Sequence, residues 1–296
     1  MRTVYLGTSE FAAIVLRRLA ASEHSPALVV TRPDRPRGRG RKLASPPVAD
    51  AARELDLPLD QPESVNDEAA RQRIAAAAPE VVCVCAFGAL IKEPLLSEHR
   101  MLNVHPSLLP RWRGAAPIER AIMAGDERTG ASIMEVTAGL DSGPVCLQAE
   151  DSISPEDTYG TLSERLASVG GELLVRALDE NPQCAEQEES GVTYAEKIDP
   201  EDRRLDPARP ADELERAVRA LTPHVGAFVE VGDVRLGVQA ARVVDGGGSP
   251  GELSVASGRP VLECAERALE LLVVQPPGRR AMSGEDYVRG MHGRGQ

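Results

Sequence analysis

No run of uncharged apolar residues in this 296-residue chain approaches the roughly 20 needed to span a bilayer, which argues against a helical membrane protein. The first six residues carry one Arg and run straight into a strand-like segment, without the long apolar region and cleavage site of a secretory signal. A cytoplasmic protein is expected. Five cysteines with no Cys-x-x-Cys pair supply neither a disulfide framework nor a zinc signature, and Cys83 and Cys85 read as buried strand residues. No metal is expected. Gly7 follows the first strand without Gly-x-Gly-x-x-Gly companions, so the dinucleotide fingerprint is missing there. No Gly-x-x-x-x-Gly-Lys-Ser/Thr loop offers a cradle for ATP, and no Gly-x-Ser-x-Gly elbow stands at a strand-to-helix turn. His24, His99, His224 and His292 lack partners at ligand spacing.

Cations are outnumbered, 34 Lys and Arg against 46 Asp and Glu, giving a formal charge of −12. That balance opposes general nucleic-acid binding, which needs Lys and Arg facing phosphates to release counterions. One stretch reverses it. Residues 31–43 hold Arg32, Arg35, Arg37, Arg39, Arg41 and Lys42 against the single acid Asp34. Such a patch can bind RNA while the acidic remainder repels other polyanions.

The length exceeds that of a typical single domain, so two are expected. In the first half, strand-like runs at 4–6, 28–30, 81–84, 101–104, 132–136 and 145–147 alternate with helical patterns, the signature of a parallel sheet with crossover helices. Phe11, Val15, Leu16 and Leu19 recur at helical spacing, as do Leu162, Leu166, Val169, Leu173, Ala177 and Leu178 later. From about Asn181 the pattern breaks into Pro-, Glu- and Gly-containing sequence. Beyond a helix carrying Leu214, Val218 and Leu221, short strands at 227–231, 234–244, 261–264 and 269–274 suggest a small β-barrel, with a hairpin turn at Gly232-Asp233. The expected division is a catalytic domain at 1–188, a linker at 189–206 and a β-barrel domain at 207–296.

The run Asn103-Val104-His105-Pro106-Ser107-Leu108-Leu109-Pro110-Arg111-Trp112-Arg113-Gly114 follows a strand end. Asn103 and His105, two apart in extended chain, point the same way, and open α/β sheets bind ligands at the carboxyl ends of their strands. A polar turn bonding its own backbone would explain the pair equally well. Gly139-Leu140-Asp141-Ser142-Gly143 places an acid in a glycine-flanked turn between two strand candidates. Taken together, an amide donor, an imidazole and a carboxylate at adjacent strand ends make a set suited to acyl transfer.

On these residues the chain resembles the folate-dependent formyltransferase and hydrolase family. The likeness runs nearly end to end: Leu6-Gly7-Thr8-Ser9-Glu10-Phe11, the basic loop, Phe87-Gly88-Ala89-Leu90-Ile91, the Asn103 to Gly114 run, the Asp141 turn, Glu156-Asp157-Thr158, Thr193 to Ile198 and the tail from Gln275 to Met282. Asn103, His105, Ser107 to Pro110 and Asp141 suit any member, including those that formylate small amines or hydrolyse formyl-folate. The basic loop, Arg111-Trp112-Arg113-Gly114, Tyr194-Ala195-Glu196-Lys197 and the second domain resemble the branch acting on methionyl initiator tRNA.

The resemblance implies a Rossmann-like, mostly parallel sheet followed by an OB-like barrel, with 10-formyltetrahydrofolate as formyl donor and no metal. It implies catalytic roles for Asn103, His105 and Asp141, and a folate site formed by Ser107, Leu108, Leu109 and Pro110 with Phe87, Gly88, Ala89, Leu90 and Ile91. Arg32, Arg35, Arg37, Arg39, Arg41 and Lys42 would enter the tRNA acceptor end, and the barrel would bind tRNA. A monomer is expected.

Overall fold

The computed structural model describes residues 1–37, 42–232 and 234–292. Two compact units share the chain, each assembled from three stretches. Met1–Gly114, Arg128–Ser152 and Ser163–Tyr194 make the first, and Ala115–Glu127, Ile153–Leu162 and Ala195–Gln296 the second. Among the described residues no helix is long and apolar enough to cross a membrane.

The chain begins with β1 (Thr3–Gly7), α1 (Glu10–Ala20), β2 (Pro26–Val30), β3 (Arg35–Arg37), β4 (Lys42–Ala44) and α2 (Pro47–Glu54). It continues through β5 (Leu59–Asp60), α3 (Glu68–Ala76), β6 (Val81–Cys85), α4 (Leu95–Glu98), β7 (Met101–His105) and β8 (Arg113–Gly114). Then follow α5 (Pro117–Ala124), β9 (Arg128–Glu135), β10 (Val145–Ser152), α6 (Tyr159–Glu180) and β11 (Tyr194–Ala195).

Seven strands form one sheet in the order β10-β9-β7-β6-β1-β2-β5. The five from β5 to β7 are parallel, while β9 runs antiparallel to its neighbours β7 and β10. Burial on both faces explains the uninterrupted apolar sequence of the central strands, since Val4, Tyr5, Leu6, Val82 and Cys83 are all fully buried. Val4, Leu6, Val30, Val82 and Val84 join Ile74, Leu95 and Met101 in one core cluster. Ahead of α1, Ser9 is the N-cap, its hydroxyl accepting from Ala12 N at 3.3 Å, and Phe11, Val15, Leu16 and Leu19 are buried as the helical spacing requires.

The second unit contains α7 (Ala211–Leu221), β12 (Ala227–Val231), β13 (Val234–Val244), β14 (Leu253–Ala256) and β15 (Arg259–Glu263). It ends with β16 (Ala268–Gln275), β17 (Met282–Ser283) and α8 (Gly284–His292). The barrel expected from the sequence takes the form of an antiparallel sheet, β12-β13-β16-β15-β14, with β17 on β16. Leu214, Val218 and Leu221 of α7 pack with Val229, Leu236, Val238, Leu262, Leu269 and Leu271 of the strands. The helix stops at Leu221 because Pro223 disfavours helical backbone at Thr222. In the β12–β13 hairpin Val231 pairs with Val234, and Gly232 has φ +57°; Asp233 of the expected turn lies outside the described residues. Gly247-Gly248-Ser249-Pro250-Gly251 has the spacing of a hydrolase elbow but precedes strand β14, where no helix follows.

Within the expected linker, Ala195 and Leu205 are buried. Asp202 accepts two bonds from Arg120 of α5, Nη1 to Oδ1 at 2.8 Å and Nη2 to Oδ2 at 2.7 Å. Burial pushes the Asp202 carboxyl up, but the Arg120 bonds and the backbone bond at Asp199 outweigh it and hold it below the usual carboxylate range. A lowered folded pKa stabilises the protein above the unfolded value near ~3.9, and the gain disappears as pH falls through the folded value. Arg120→Met should therefore cost about 1–3 kcal/mol in urea unfolding at pH 7, and the difference from wild type should shrink as the solution is acidified. A cost independent of pH would contradict this reading.

Candidate active site

The strand β7 places Asn103 and His105 two residues apart on one sheet face, with Asn103 opposite Met134 and His105 opposite Ser132 on β9. His105 is buried and Asn103 partly so. The Asn103 amide has no side-chain hydrogen bond among the described residues, and its two donors remain available. The imidazole is fixed at one corner, where Nε2 lies 2.8 Å from the carbonyl oxygen of Trp112. A carbonyl only accepts, so Nε2 carries the hydrogen and Nδ1 is the nitrogen left to exchange a proton with the site. Trp112 has φ +62°, an uncommon conformation for a bulky residue that aims its carbonyl at the ring; its N–H donates to Thr193 Oγ1 at 2.9 Å.

Asp141 reaches the same point from the segment between β9 and β10. Because β9 is antiparallel to β7, with Leu102 opposite Glu135, that segment leaves the sheet beside the start of β7. It must fold back over the sheet face, so Asp141 does not come from an adjacent strand end as the sequence suggested. Asp141 Oδ2 lies 3.8 Å from His105 Nδ1 and accepts the Gly114 N–H at 2.9 Å. At 3.8 Å the two are in electrostatic contact but beyond a hydrogen bond, so Nδ1 is open to an incoming oxygen and donates to it when the ring carries its second proton. Asp141 has φ +43°, a left-handed conformation that Asp and Asn tolerate better than most residues. Two residues on, a side chain at Gly143 would put Cβ 2.0 Å from the Glu135 carbonyl oxygen, so glycine is required for the fold-back.

Gln187 carries no signal in the sequence. Its Nε2 donates to the carbonyls of Asp141 at 2.9 Å and Gly143 at 2.8 Å, while its Oε1 accepts from Arg113 Nε at 2.9 Å. Arg113 is buried. The carboxylate is thus steadied by a residue 46 positions along the chain, a contact that no local spacing announces.

Ser107 and Leu109 are buried, so their side chains shape the site from behind. Ser107 Oγ donates to Arg111 O at 2.7 Å, and Ser132 Oγ donates to Ser107 O at 2.6 Å while accepting from Leu109 N at 3.2 Å. Gln148 Nε2 donates to Leu109 O and Ser132 Oγ, both at 2.9 Å. Ser132 and Gln148 were likewise absent from the expected set. Leu108 is partly buried, as is Pro110. Beyond β6, the Phe87 carbonyl accepts from Thr8 Oγ1 at 2.6 Å, and the Gly88 carbonyl from Arg32 Nη1 at 3.1 Å. Phe87 is buried, Gly88 and Ala89 are exposed, Leu90 is 70% exposed and Ile91 is at the edge of burial.

Within the basic stretch β3 and β4 pair antiparallel, Arg35 opposite Ala44 and Arg37 opposite Lys42. Arg32 is turned toward Gly88, and Arg35 makes an ion pair with Glu63. Arg39 and Arg41 lie outside the described residues.

One expectation is overturned. Cys146 of β10 and Cys184, beyond α6, form a disulfide across 38 residues, where the spacing suggested no pairing. Strand β10 is the sheet edge, and the chain leaving α6 returns to it, a tertiary meeting invisible in the cysteine pattern. Glu135 lies with these two sulfurs in a potential metal-ligand group, but the sulfurs are bonded to each other.

The family model described as formyl transferase matches residues 1–178, and its C-terminal domain model matches residues 197–292. The methionyl-tRNA formyltransferase of Paracoccus denitrificans is 43% identical over 294 residues, spanning 98% of both chains. That of Ruegeria pomeroyi is 42% identical over 294 residues, 98% of this chain and 97% of the relative. Among solved structures, the methionyl-tRNA formyltransferase from Clostridium thermocellum superposes with a TM-score of 0.63 at 14% identity, over 93% of this chain and 98% of that one. HypX from Aquifex aeolicus in complex with tetrahydrofolic acid gives a TM-score of 0.69 at 16% identity, over all of this chain and 48% of that one. Those two likenesses concern the fold. With full-length relatives and both domain models in agreement, the chain belongs to the formyl transferase family, in its methionyl-tRNA formyltransferase branch.

Proposed function

We propose that the protein transfers the formyl group of 10-formyltetrahydrofolate to the α-amino group of methionyl initiator tRNA, giving N-formylmethionyl-tRNA and tetrahydrofolate for translation initiation. The observation that carries the chemistry is the Asn103 amide, without a side-chain partner among the described residues, on the same face as His105, with the Asp141 carboxylate 3.8 Å from the ring's Nδ1. Residues 1–188 would form the catalytic domain, 189–206 the linker and 207–296 the tRNA-binding domain.

The acceptor amine, with a pKa near ~8, supplies a nucleophilic fraction at neutral pH without a strong base. As it attacks the formyl carbon, negative charge grows on the formyl oxygen. The Asn103 amide and the Nδ1–H that His105 carries as an imidazolium donate to that oxygen, each donor being worth roughly 3 kcal/mol in such sites. The Nε2–H, committed to Trp112, only orients the ring. Positive charge grows on the attacking nitrogen, and the Asp141 carboxylate opposes it. Its Oδ2 is held by Gly114, and Oδ1 has no partner among the described residues, so Oδ1 is the corner that takes the amine's proton, directly or through water. The bond from the formyl carbon to N10 of the carrier then breaks, and N10 takes up a proton to leave as tetrahydrofolate.

The folate carrier supplies the activated formyl group. The segment with the exposed Leu90, past the carboxyl end of β6, gives apolar surface for its flat ring, and the Ser107 to Pro110 turn, anchored by the buried Ser107 and Leu109, fixes the floor. Arg32, Arg35, Arg37, Arg39, Arg41 and Lys42 are assigned to the tRNA acceptor end. Replacing Arg37, Arg39 and Arg41 together by Ala should lower the log-log salt slope of tRNA binding by about 2, at roughly 0.7–0.9 for each phosphate no longer neutralised. An unchanged slope would remove the basic stretch from the RNA interface.

The direct test supplies the protein with radiolabelled formyl-folate and, in turn, methionyl-tRNA, sugar amines or water alone. Label in methionyl-tRNA supports the proposal. Label only in a sugar amine, or free formate without transfer, refutes it.

A further inference from the structure

Cys146 and Cys184 stand beside the anchors of the Asp141 segment. Next to the disulfide, Val145 and Ala185 exchange backbone bonds, Val145 N to Ala185 O at 2.7 Å and Ala185 N to Val145 O at 2.9 Å. Two residues further, Gln187 grips the carbonyls of Asp141 and Gly143. The cross-link therefore ties the strand that follows Asp141 to the stretch that steadies it.

Cys146 and Cys184 are both partly exposed. The remaining cysteines are different. Cys83, Cys85 and Cys264 are buried, and burial pushes their thiols up to about 12, about 12 and about 11, so they stay protonated and inert. Among the described residues, the Cys146–Cys184 pair alone is suited to thiol–disulfide exchange.

We propose that Cys146 and Cys184 form a redox-exchangeable latch that sets the position of the catalytic Asp141 through Gln187. With the bond closed, the 184–187 stretch is held covalently against β10. With it open, that stretch depends on the Val145–Ala185 pair and the bonds of Gln187, partly solvent-exposed interactions that break and remake readily. The reactant that closes it is a low-molecular-weight disulfide. One protein thiolate attacks a sulfur of that reagent, forming a mixed disulfide and releasing one small thiol; the second protein thiolate displaces the other. Two protein thiols and one small disulfide thus become one protein disulfide and two small thiols.

The inference rests on the catalytic role given above to Asp141, and its test separates the two. Full-length protein is equilibrated in reduced and oxidised glutathione at several ratios, and the bond is followed by intact mass and by thiol count. Formyl transfer and hydrogen exchange at 137–144 and 183–190 are measured in each state. Reduction should lower kcat about five- to tenfold, as small misplacements of catalytic groups do, with the KM for tRNA within about twofold and full recovery on reoxidation. Exchange in both segments should quicken. The Cys146→Ser/Cys184→Ser variant should remain at the low rate in every buffer, with melting temperature checking its fold. Gln187→Ala should also be slow in both states while its thiol count still changes.

Failure to form the bond at any glutathione ratio overturns the latch. So does a bond that forms without altering kcat or exchange. If no formyl transfer occurs in either state, the functional reading falls, and hydrogen exchange at 137–144 alone decides whether the bond controls that segment.

Discussion

Asp141→Asn is expected to lower kcat by about 10³-fold, within the range of 10²–10⁴ for loss of a positioned general base, while the Kd for methionyl-tRNA stays within about twofold. The choice of Asn isolates charge from shape. Asparagine tolerates the left-handed backbone at φ +43°, and its Oδ1 can still accept the Gly114 N–H now received by Oδ2. Both carbonyl bonds from Gln187 are to main chain and survive the substitution. What disappears is the negative charge beside His105 Nδ1 and the corner able to take the amine's proton. Rapid-quench measurement of a single turnover with saturating formyl-folate distinguishes chemistry from binding. A near-normal single-turnover rate would remove Asp141 from the reaction.

Asn103→Ala should reduce kcat by about 10²–10³, or roughly 2.7–4 kcal/mol, the loss associated with deleting one donor to a developing oxyanion. The substitution breaks no side-chain hydrogen bond among the described residues, so its effect on melting should be small. A large catalytic loss with unchanged stability would mark a group whose partner appears only during reaction. Asn103→Asp offers the complementary result: similar in size, it presents an acceptor to the growing negative charge and should be at least as slow. If the alanine variant kept wild-type kcat with a raised KM, the amide would be a binding group, and the stabilisation would fall to His105 alone.

The central sheet was legible because its strands are buried on both faces and therefore written as unbroken apolar runs; the segments at 4–6, 81–84 and 101–104 all lie in strands. Helices α1, α6 and α7 were legible from their 3.6-residue periodicity. Short elements escaped. Strand β5 has two residues, and β3 is Arg-Pro-Arg and β4 Lys-Leu-Ala, three residues each and with too little apolar alternation to stand out from loop. At the site, Asn103 and His105 could be placed together because they share a strand, whereas the route of Asp141 depends on the direction of β9, which residue type does not encode. Gln187, Ser132 and Gln148 act through bonds to main chain or across tens of residues, and glutamine and serine are too common to stand out. The Cys146–Cys184 pair was hidden for the same reason.

The distance in sequence between Asp141 and its steadying residue has a consequence for how the protein comes into being. All parallel strands of the sheet are complete by His105, and the antiparallel pair by Ser152, yet the grip on the Asp141 carbonyl waits for Gln187. A chain emerging from the ribosome would therefore assemble its scaffold well before its carboxylate is held in place, so catalytic competence would arrive as a late and separate event in biosynthesis.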